Sequence, residues 1–336
     1  MGHTLAGGVR RDDAVHVTAS DVGPSGLGLR GSGAERPGHV RVLLATDELV
    51  LGEFSCQPDD PLWTSPNTIG DLPHVVWPFT TVEIIRPRAG RVCADSNGVL
   101  LYDAGTEYRR RPVSPAGDRS VFIALHPQLL ERLTGRFTRK RAGQFPVGHL
   151  PLAAGGWLRM KTALSAGRAC HDAMRLEELA LDALGAVVEA LPQQRTPRPN
   201  TGRRVRERVE DTRRLLGDAL TEQVAVTDIA RRLEVSPYHL ARQFRMLTGT
   251  SMHRYRRELR ARAAVHALLD HPRRDLSTIA AEHGFASHSH LTSTCKQVFG
   301  QTPSELRSAC RARGGPFDTG CRAMGERPPR RVPVIA

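Results

Sequence analysis

The sequence has no apolar run of membrane-spanning length and no CxxC pair, and its opening residues MGHTLAGGVRRDDAVHV lack the continuous apolar segment of a secretory signal. These absences predict a chain that stays in the cytoplasm and has no membrane partner. The six cysteines, Cys56, Cys93, Cys170, Cys295, Cys310 and Cys321, are scattered. They are expected to be reduced, mostly buried thiols, with no disulfide or zinc framework and no cofactor.

The 336 residues are enough for two domains with proper cores, and 40% hydrophobic content is ordinary for a water-soluble protein. The net charge of +13 is unevenly placed: residues 202–311 hold 20 Lys and Arg against 12 Asp and Glu. A basic half of this kind should attract a polyanion, most simply nucleic acid. Arginine outnumbers lysine throughout, so an arginine-rich proteome is the plain alternative.

Residues 1–37 and 312–336 are loose in composition, rich in Gly, Ser, Pro and Arg, and are expected to be disordered. From His39 to about Pro127 the pattern changes to short strand-like runs such as HVRVLLAT, ELVLGEFSC, TVEIIRP, VLLYDAG and SVFIALHP, separated by turn signals such as DSNG and SPAGD. This predicts a small antiparallel barrel or sandwich, followed by helices over residues 150–191. Leu176, Ala180, Ala183, Val187 and Leu191 make one apolar stripe, suited to the domain's own core or to a second copy of the chain in a homodimer. LPQQRTPRPNT then reads as a Pro-rich linker over residues 193–201, dividing a domain over 38–192 from one over 202–311.

The second of these contains a repeat. VTDIARRLEVSPYHLARQF, from Val226, is answered by LSTIAAEHGFASHSHLTSTC, from Leu276: Ile229-Ala230 corresponds to Ile279-Ala280, Val235 to Phe285, Leu240 to Leu291 and Phe244 to Cys295. Each copy predicts a helix, a sharp turn and a capped second helix, the layout of a helix-turn-helix. In the first copy Ser236 is a suitable N-cap and Pro237 falls where its missing N–H is harmless, leaving Tyr238, His239, Arg242 and Arg245 on the outside. In the second, a helix beginning after Ser287 buries Leu291, Cys295, Val298 and Phe299 and turns His288, Ser289, Thr292, Ser293 and Lys296 outward. His288 and His290 are two apart, whereas two zinc ligands on one helix should stand four apart, so this histidine-rich stretch predicts a polar face and no metal. That face either reads DNA or is merely solvated. SMHRYRRELRARAAVHALLD between the copies reads as one long helix, able to hold two reading helices the roughly 34 Å apart that successive major grooves require.

The stretches DIARRLEVSPYHLARQFRMLTGTSMHRYRRELR and DLSTIAAEHGFASHSHLTSTCKQVFGQTPSELR resemble the two halves of the DNA-binding domain of AraC-type transcription regulators, over residues 205–311. The resemblance implies an all-α domain of two helix-turn-helix units joined by a linking helix, and sequence-specific binding of double-stranded promoter DNA. RNA polymerase is a candidate further partner. By position it implies base-facing sites at Tyr238, His239, Ala241 and Arg242, and at Ser287, His288, Ser289, Thr292 and Ser293. The sequence departs from the family at Ser293, where arginine is common, and at Cys295, where phenylalanine is common.

PNTIGDLPHVVWP and VLLYDAGTEYRRRPVSPAGDRSVFIALHP are similar, more loosely, to the cupin-like effector and dimerisation domains of such regulators. The fold class expected for the whole chain is therefore α+β, an N-terminal cupin-like antiparallel β-barrel with helices followed by the helical domain. A small-molecule effector would meet Trp63, His74, Trp77, Phe79 and Tyr108, although residues of these types are more often structural. A catalytic cupin would need converging ligands, and His74, Glu83 and His126 are the one trio on offer. Two further readings are a DNA-repair or cupin-type enzyme carrying a helix-turn-helix domain, which needs an activated thiolate or a metal, and a nucleoid binder without sequence preference. The first reading is a regulator and not an enzyme.

Overall fold

The computed structural model describes residues 39–87, 89–135, 144–169, 172–192 and 201–314. The loose stretch 1–37, most of the linker and nearly all of the tail lie outside them. Ten strands come first: β1 (Val40–Ala45), β2 (Leu49–Cys56), β3 (Asn67–Thr68), β4 (His74–Pro78), β5 (Val82–Arg86), β6 (Gly90–Ala94), β7 (Gly98–Tyr102), β8 (Glu107–Pro112), β9 (Asp118–Leu125) and β10 (His149–Pro151). They form one six-stranded sheet, in the order β1-β2-β9-β4-β7-β10, and one four-stranded sheet, in the order β3-β8-β5-β6. The expected barrel is thus corrected to two open antiparallel sheets. Among the described residues no ladder joins the edges, because the edge strands β3 and β10 are only two and three residues long and end the pairing there.

Side-chain alternation gives the six-stranded sheet two different faces. Val75, Trp77, Val99, Leu101, Val121, Ile123 and Leu125 pack towards helices α2 (Ala154–Ala169) and α3 (Ala173–Ala190). Their alternates, among them His74, Val76, Leu100, Tyr102 and Phe122, face the four-stranded sheet across a cavity. The stripe Leu176, Ala180, Ala183, Val187 and Leu191 is buried in this same core, so α3 spends it on its own domain and leaves none of it for a partner helix.

The helical half comprises α4 (Arg203–Asp218), α5 (Val226–Arg232), α6 (Pro237–Thr248), α7 (Met252–Asp270), α8 (Leu276–Glu282), α9 (His288–Phe299) and α10 (Pro303–Gly314). One further helix, α1 (Pro127–Thr134), follows β9. The pairs α5/α6 and α8/α9 are the two helix-turn-helix units, and α7 links them. Their turns match in conformation: Glu234 (φ 51°) in the first occupies the same left-handed region as Gly284 (φ 72°) in the second. Both reading helices also end on a left-handed glycine, Gly249 and Gly300. No helix among the described residues is long and apolar enough to cross a membrane.

The two units are held differently. The first has a core of its own, in which Ile229, Ala230, Leu240, Phe244, Met252, Tyr255 and Leu259 meet Val209 and Leu216 of α4. The second unit's Ile279, Ala280, Phe285, Leu291, Cys295 and Leu306 belong to the same continuous core as the sheet and α2.

Candidate nucleic-acid interface

Ser236 and Ser287 fix where the reading helices start. Each hydroxyl accepts from a backbone N–H three residues on, His239 N at 3.3 Å and His290 N at 3.1 Å, which satisfies one of the otherwise unpaired first-turn donors. Pro237 stands at the first helical position of α6. Burial then sets the faces. In α6, Leu240 and Phe244 are buried, while Tyr238, His239, Ala241, Arg242 and Arg245 are exposed, Tyr238 by 72%. In α9, Leu291, Thr294 and Cys295 are buried, with Ser287, His288, Ser289, Ser293 and Lys296 exposed and Thr292 half-buried. Val298 and Phe299, expected in the buried stripe, are half-buried because Phe299 sits at the seam with α2.

Neither reading helix contains an acidic residue, so each outward face presents only neutral or positive groups to a polyanion. Arg242 and Arg245 have no hydrogen-bond or ion-pair partner among the described residues, which leaves both guanidinium forks available. The polar side chains of α9 are more committed. Ser293 Oγ donates to the His290 carbonyl oxygen at 3.0 Å, and Thr292 Oγ1 lies 3.4 Å from His288 Nε2. The 19 residues of α7 span about 28 Å at helical rise, close to the separation of successive major grooves.

The expected pocket residues do not stay together. His74 and Tyr108 line the cavity between the sheets. Trp77 is one residue out of phase with His74 and Val76, so its ring lies on the opposite face of the sheet, fully buried against the helices. Phe79 stacks on His266 of α7 with ring centroids 4.3 Å apart and meets Trp157 of α2 edge-on. Trp63 lies in a short helical turn, where its Nε1 donates to the Gln57 carbonyl. Glu83 is on the face of β5 away from the cavity, engaged by Arg91 and Arg111, and His126 precedes α1, so the trio His74, Glu83 and His126 does not converge. Burial raises the thiols of Cys56 and Cys295 to about 12 and that of Cys93 well above its ordinary value, the reverse of an activated thiolate.

A polar seam between the domains went unread in the sequence. The turn Asp95-Ser96-Asn97-Gly98 between β6 and β7 was legible only as turn punctuation, yet its side chains hold the helical half. Asp95 Oδ2 accepts from Tyr255 Oη at 2.5 Å and from Arg213 Nη2 at 3.5 Å. Asn97 Nδ2 donates to the Tyr255 carbonyl at 2.9 Å, and Arg262, 1% exposed, donates to Asn97 Oδ1 and to the Leu152 carbonyl. At the far end of α7, Lys161 and Arg168 of α2 grip Asp270. Although burial opposes it, Lys161, His266 and Arg168 together hold the Asp270 carboxyl well below the usual carboxylate range.

Comparison with known proteins accords with this geometry. Residues 229–309 match the family described as a helix-turn-helix domain. The regulator GlxA of Rhizobium meliloti is 41% identical over 81 residues, covering 24% of this chain and 25% of its own, and the transcriptional activator RhaS of Escherichia fergusonii is 36% identical over 92 residues, covering 27% and 33%. A solved AraC-type DNA-binding regulator from Chromobacterium violaceum is 28% identical, with 31% of this chain and 93% of that one covered at a TM-score of 0.30. The match thus spans between a quarter and a third of these two curated relatives. With two helix-turn-helix units on one linking helix and this match across both, the C-terminal domain belongs to the AraC-type helix-turn-helix family of DNA-binding domains.

Proposed function

We propose that the chain is a sequence-specific transcription regulator that acts on promoter DNA in the cytoplasm, with α6 and α9 entering successive major grooves. The observation that carries this reading is the pair of capped, acid-free, outward-facing reading helices held by one linking helix. Arg242 and Arg245, with Tyr238, His239 and Ala241, contact bases and phosphates from α6. Ser287, His288, Ser289, Thr292, Ser293 and Lys296 do so from α9. The cavity between the sheets is the effector site, and β7 joins it to the DNA-binding half: Leu100 and Tyr102 line the cavity, and Asn97, just ahead of the strand, is bonded to α7. Contacts with RNA polymerase and pairing of two copies on DNA belong to the same reading, although the α3 stripe no longer argues for pairing.

Selection of bound duplexes from a randomised pool with the full chain tests it. One enriched site is expected, with affinity falling steeply as salt rises. Equal affinity for every duplex would leave a nucleoid binder in its place.

A further inference from the structure

We propose that the cavity between the two sheets takes an elongated, uncharged, largely apolar molecule with a hydrogen-bond donor at one end, seated on Nε2 of His74, and that it rejects carboxylates. This rests on the reading of that cavity as the effector site and adds the chemistry of what it admits. The cavity volume is about 100 Å³.

At one end His74, 5% exposed, places Nδ1 2.7 Å from the Leu72 carbonyl oxygen. A carbonyl only accepts, so Nδ1 carries the proton and Nε2 is left as an acceptor. Burial supports the neutral ring, lowering its pKa to about 4, so the ring stays an acceptor throughout the neutral range. At the other end stand the only Arg and Asp side chains lining the cavity among the described residues, Arg110 and Asp118; burial pushes the Asp118 carboxyl up and the Arg110 guanidinium draws it back down. Arg110, 4% exposed, donates from Nη1 to Asp118 at 3.1 Å and from Nη2 to Tyr108 Oη at 2.7 Å, with its guanidinium over the Phe54 ring. Its Nε has no acceptor. A carboxylate brought there would lie against Asp118 as well as Arg110, whereas an uncharged oxygen would satisfy the N–H without that repulsion.

The two ends are well separated. His74 opens β4, and Pro78, which is paired with Ser120 near Asp118, closes it, so about 13 Å of strand lies between them. Val76, Leu100, Ile84 and Phe122 fill the interval with apolar surface. The result is a slot with an acceptor at one end, a self-neutralised ion pair at the other and hydrocarbon between them.

The test is calorimetric titration of the full chain with three probes sharing one skeleton: naphthol, its methyl ether and naphthoate. Naphthol should bind about fivefold more tightly than the ether, which cannot donate to His74. Naphthoate should bind at least roughly tenfold more weakly than the ether. His74→Phe should abolish the preference of naphthol over the ether while retaining the ether, which also reports that the cavity is intact. Asp118→Asn, leaving Arg110 without its counter-charge, should raise naphthoate relative to naphthol. Should His74→Phe fail to fold, the naphthol-to-ether ratio in the unaltered protein and the Asp118→Asn shift still decide. Binding of naphthoate as tight as naphthol, an equal affinity for naphthol and ether, or no binding of any probe overturns the assignment. Bound naphthol that leaves DNA affinity unchanged would instead contradict effector control of DNA binding and leave the cavity chemistry standing.

Discussion

The two helix-turn-helix units share a turn, a cap and a terminating glycine, yet they differ in what supports them. The first is built around its own core of Leu240, Phe244, Tyr255 and Leu259 with α4. The second reaches into the N-terminal domain, where Phe299 of its reading helix lies 5.9 Å from the Trp157 ring of α2 and Leu306 of α10 joins the sheet's core. The lesson is that sequence repetition preserves local geometry while leaving the energetics free to diverge. The unit with the freer arginines is the self-supported one, and the unit with short polar readers is seated on the domain that holds the cavity.

The largest expected effect tests the shared core. Trp157 is 1% exposed and touches both Phe79 and Phe299, so Trp157→Ala should cost about 3–5 kcal/mol. Hydrogen exchange should show the loss in α8 and α9 together with the sheet, and little change in α5 and α6. Equal loss of protection in both units would mean that they share support after all.

A smaller asymmetry should appear with pH. His266 is buried between Phe79, Lys161 and Asp270, and burial lowers its pKa well below the ordinary value, with Lys161 adding to the shift. His283 in the turn of the second unit is lowered too, again chiefly by burial. The first unit's core contains no histidine. Because folding lowers these pKa values, the unfolded chain binds more protons below its own value of about 6.5, and stability falls as pH drops through that value. Going from pH 7.5 to 5.5 should therefore lower stability through these two groups, seen as earlier exchange in α8 and α9. Unchanged protection there at pH 5.5 would contradict it.

The smallest contrast is in the turns. Glu234 holds a left-handed backbone that glycine adopts freely, so Glu234→Gly should stabilise the first unit by about 1 kcal/mol, read as a rise in melting temperature. At the matching site of the second unit a side chain is barred twice. A Cβ on Gly284 would stand 2.8 Å from the Thr221 carbonyl oxygen, in addition to the positive φ, so Gly284→Ala should destabilise. A destabilised Glu234→Gly protein would show that the acidic side chain does something the backbone geometry does not reveal.

Much of this was legible in the residues because it is local. The caps Ser236 and Ser287, the Ile-Ala pairs and the buried alternation of Leu240/Phe244 and Leu291/Cys295 are set by spacing along one helix. What escaped depends on the third dimension. Trp77 and His74 sit three apart on one strand, so the pleat sends them to opposite faces, and no aromatic count could tell which face held the cavity. β8, EYRRRP, carries no apolar alternation: Arg110 pairs with Asp118 of the other sheet, while Arg111 pairs with Glu83 of the neighbouring β5. Asp95 and Asn97 looked like turn formers, and only the packing of α4 and α7 turns them into partners of Arg213, Tyr255 and Arg262. The expected closure into a barrel failed for a related reason, since it depends on edge strands too short to leave a mark.

The central claim is that the self-supported first unit is the principal reader of sequence. Arg242 is exposed and unpaired among the described residues, and its fork can bond both acceptors on the major-groove edge of guanine, whereas the Ser293 hydroxyl already donates to the His290 carbonyl. The measurement is a binding titration of Arg242→Ala and Ser293→Ala, as full chains at fixed salt, against the selected site and its single-base variants. Arg242→Ala should lose about 1–3 kcal/mol of discrimination at one base pair, and Ser293→Ala far less. An Arg242→Ala protein that keeps its affinity and base preference, or a Ser293→Ala protein that loses more than it does, would contradict the claim.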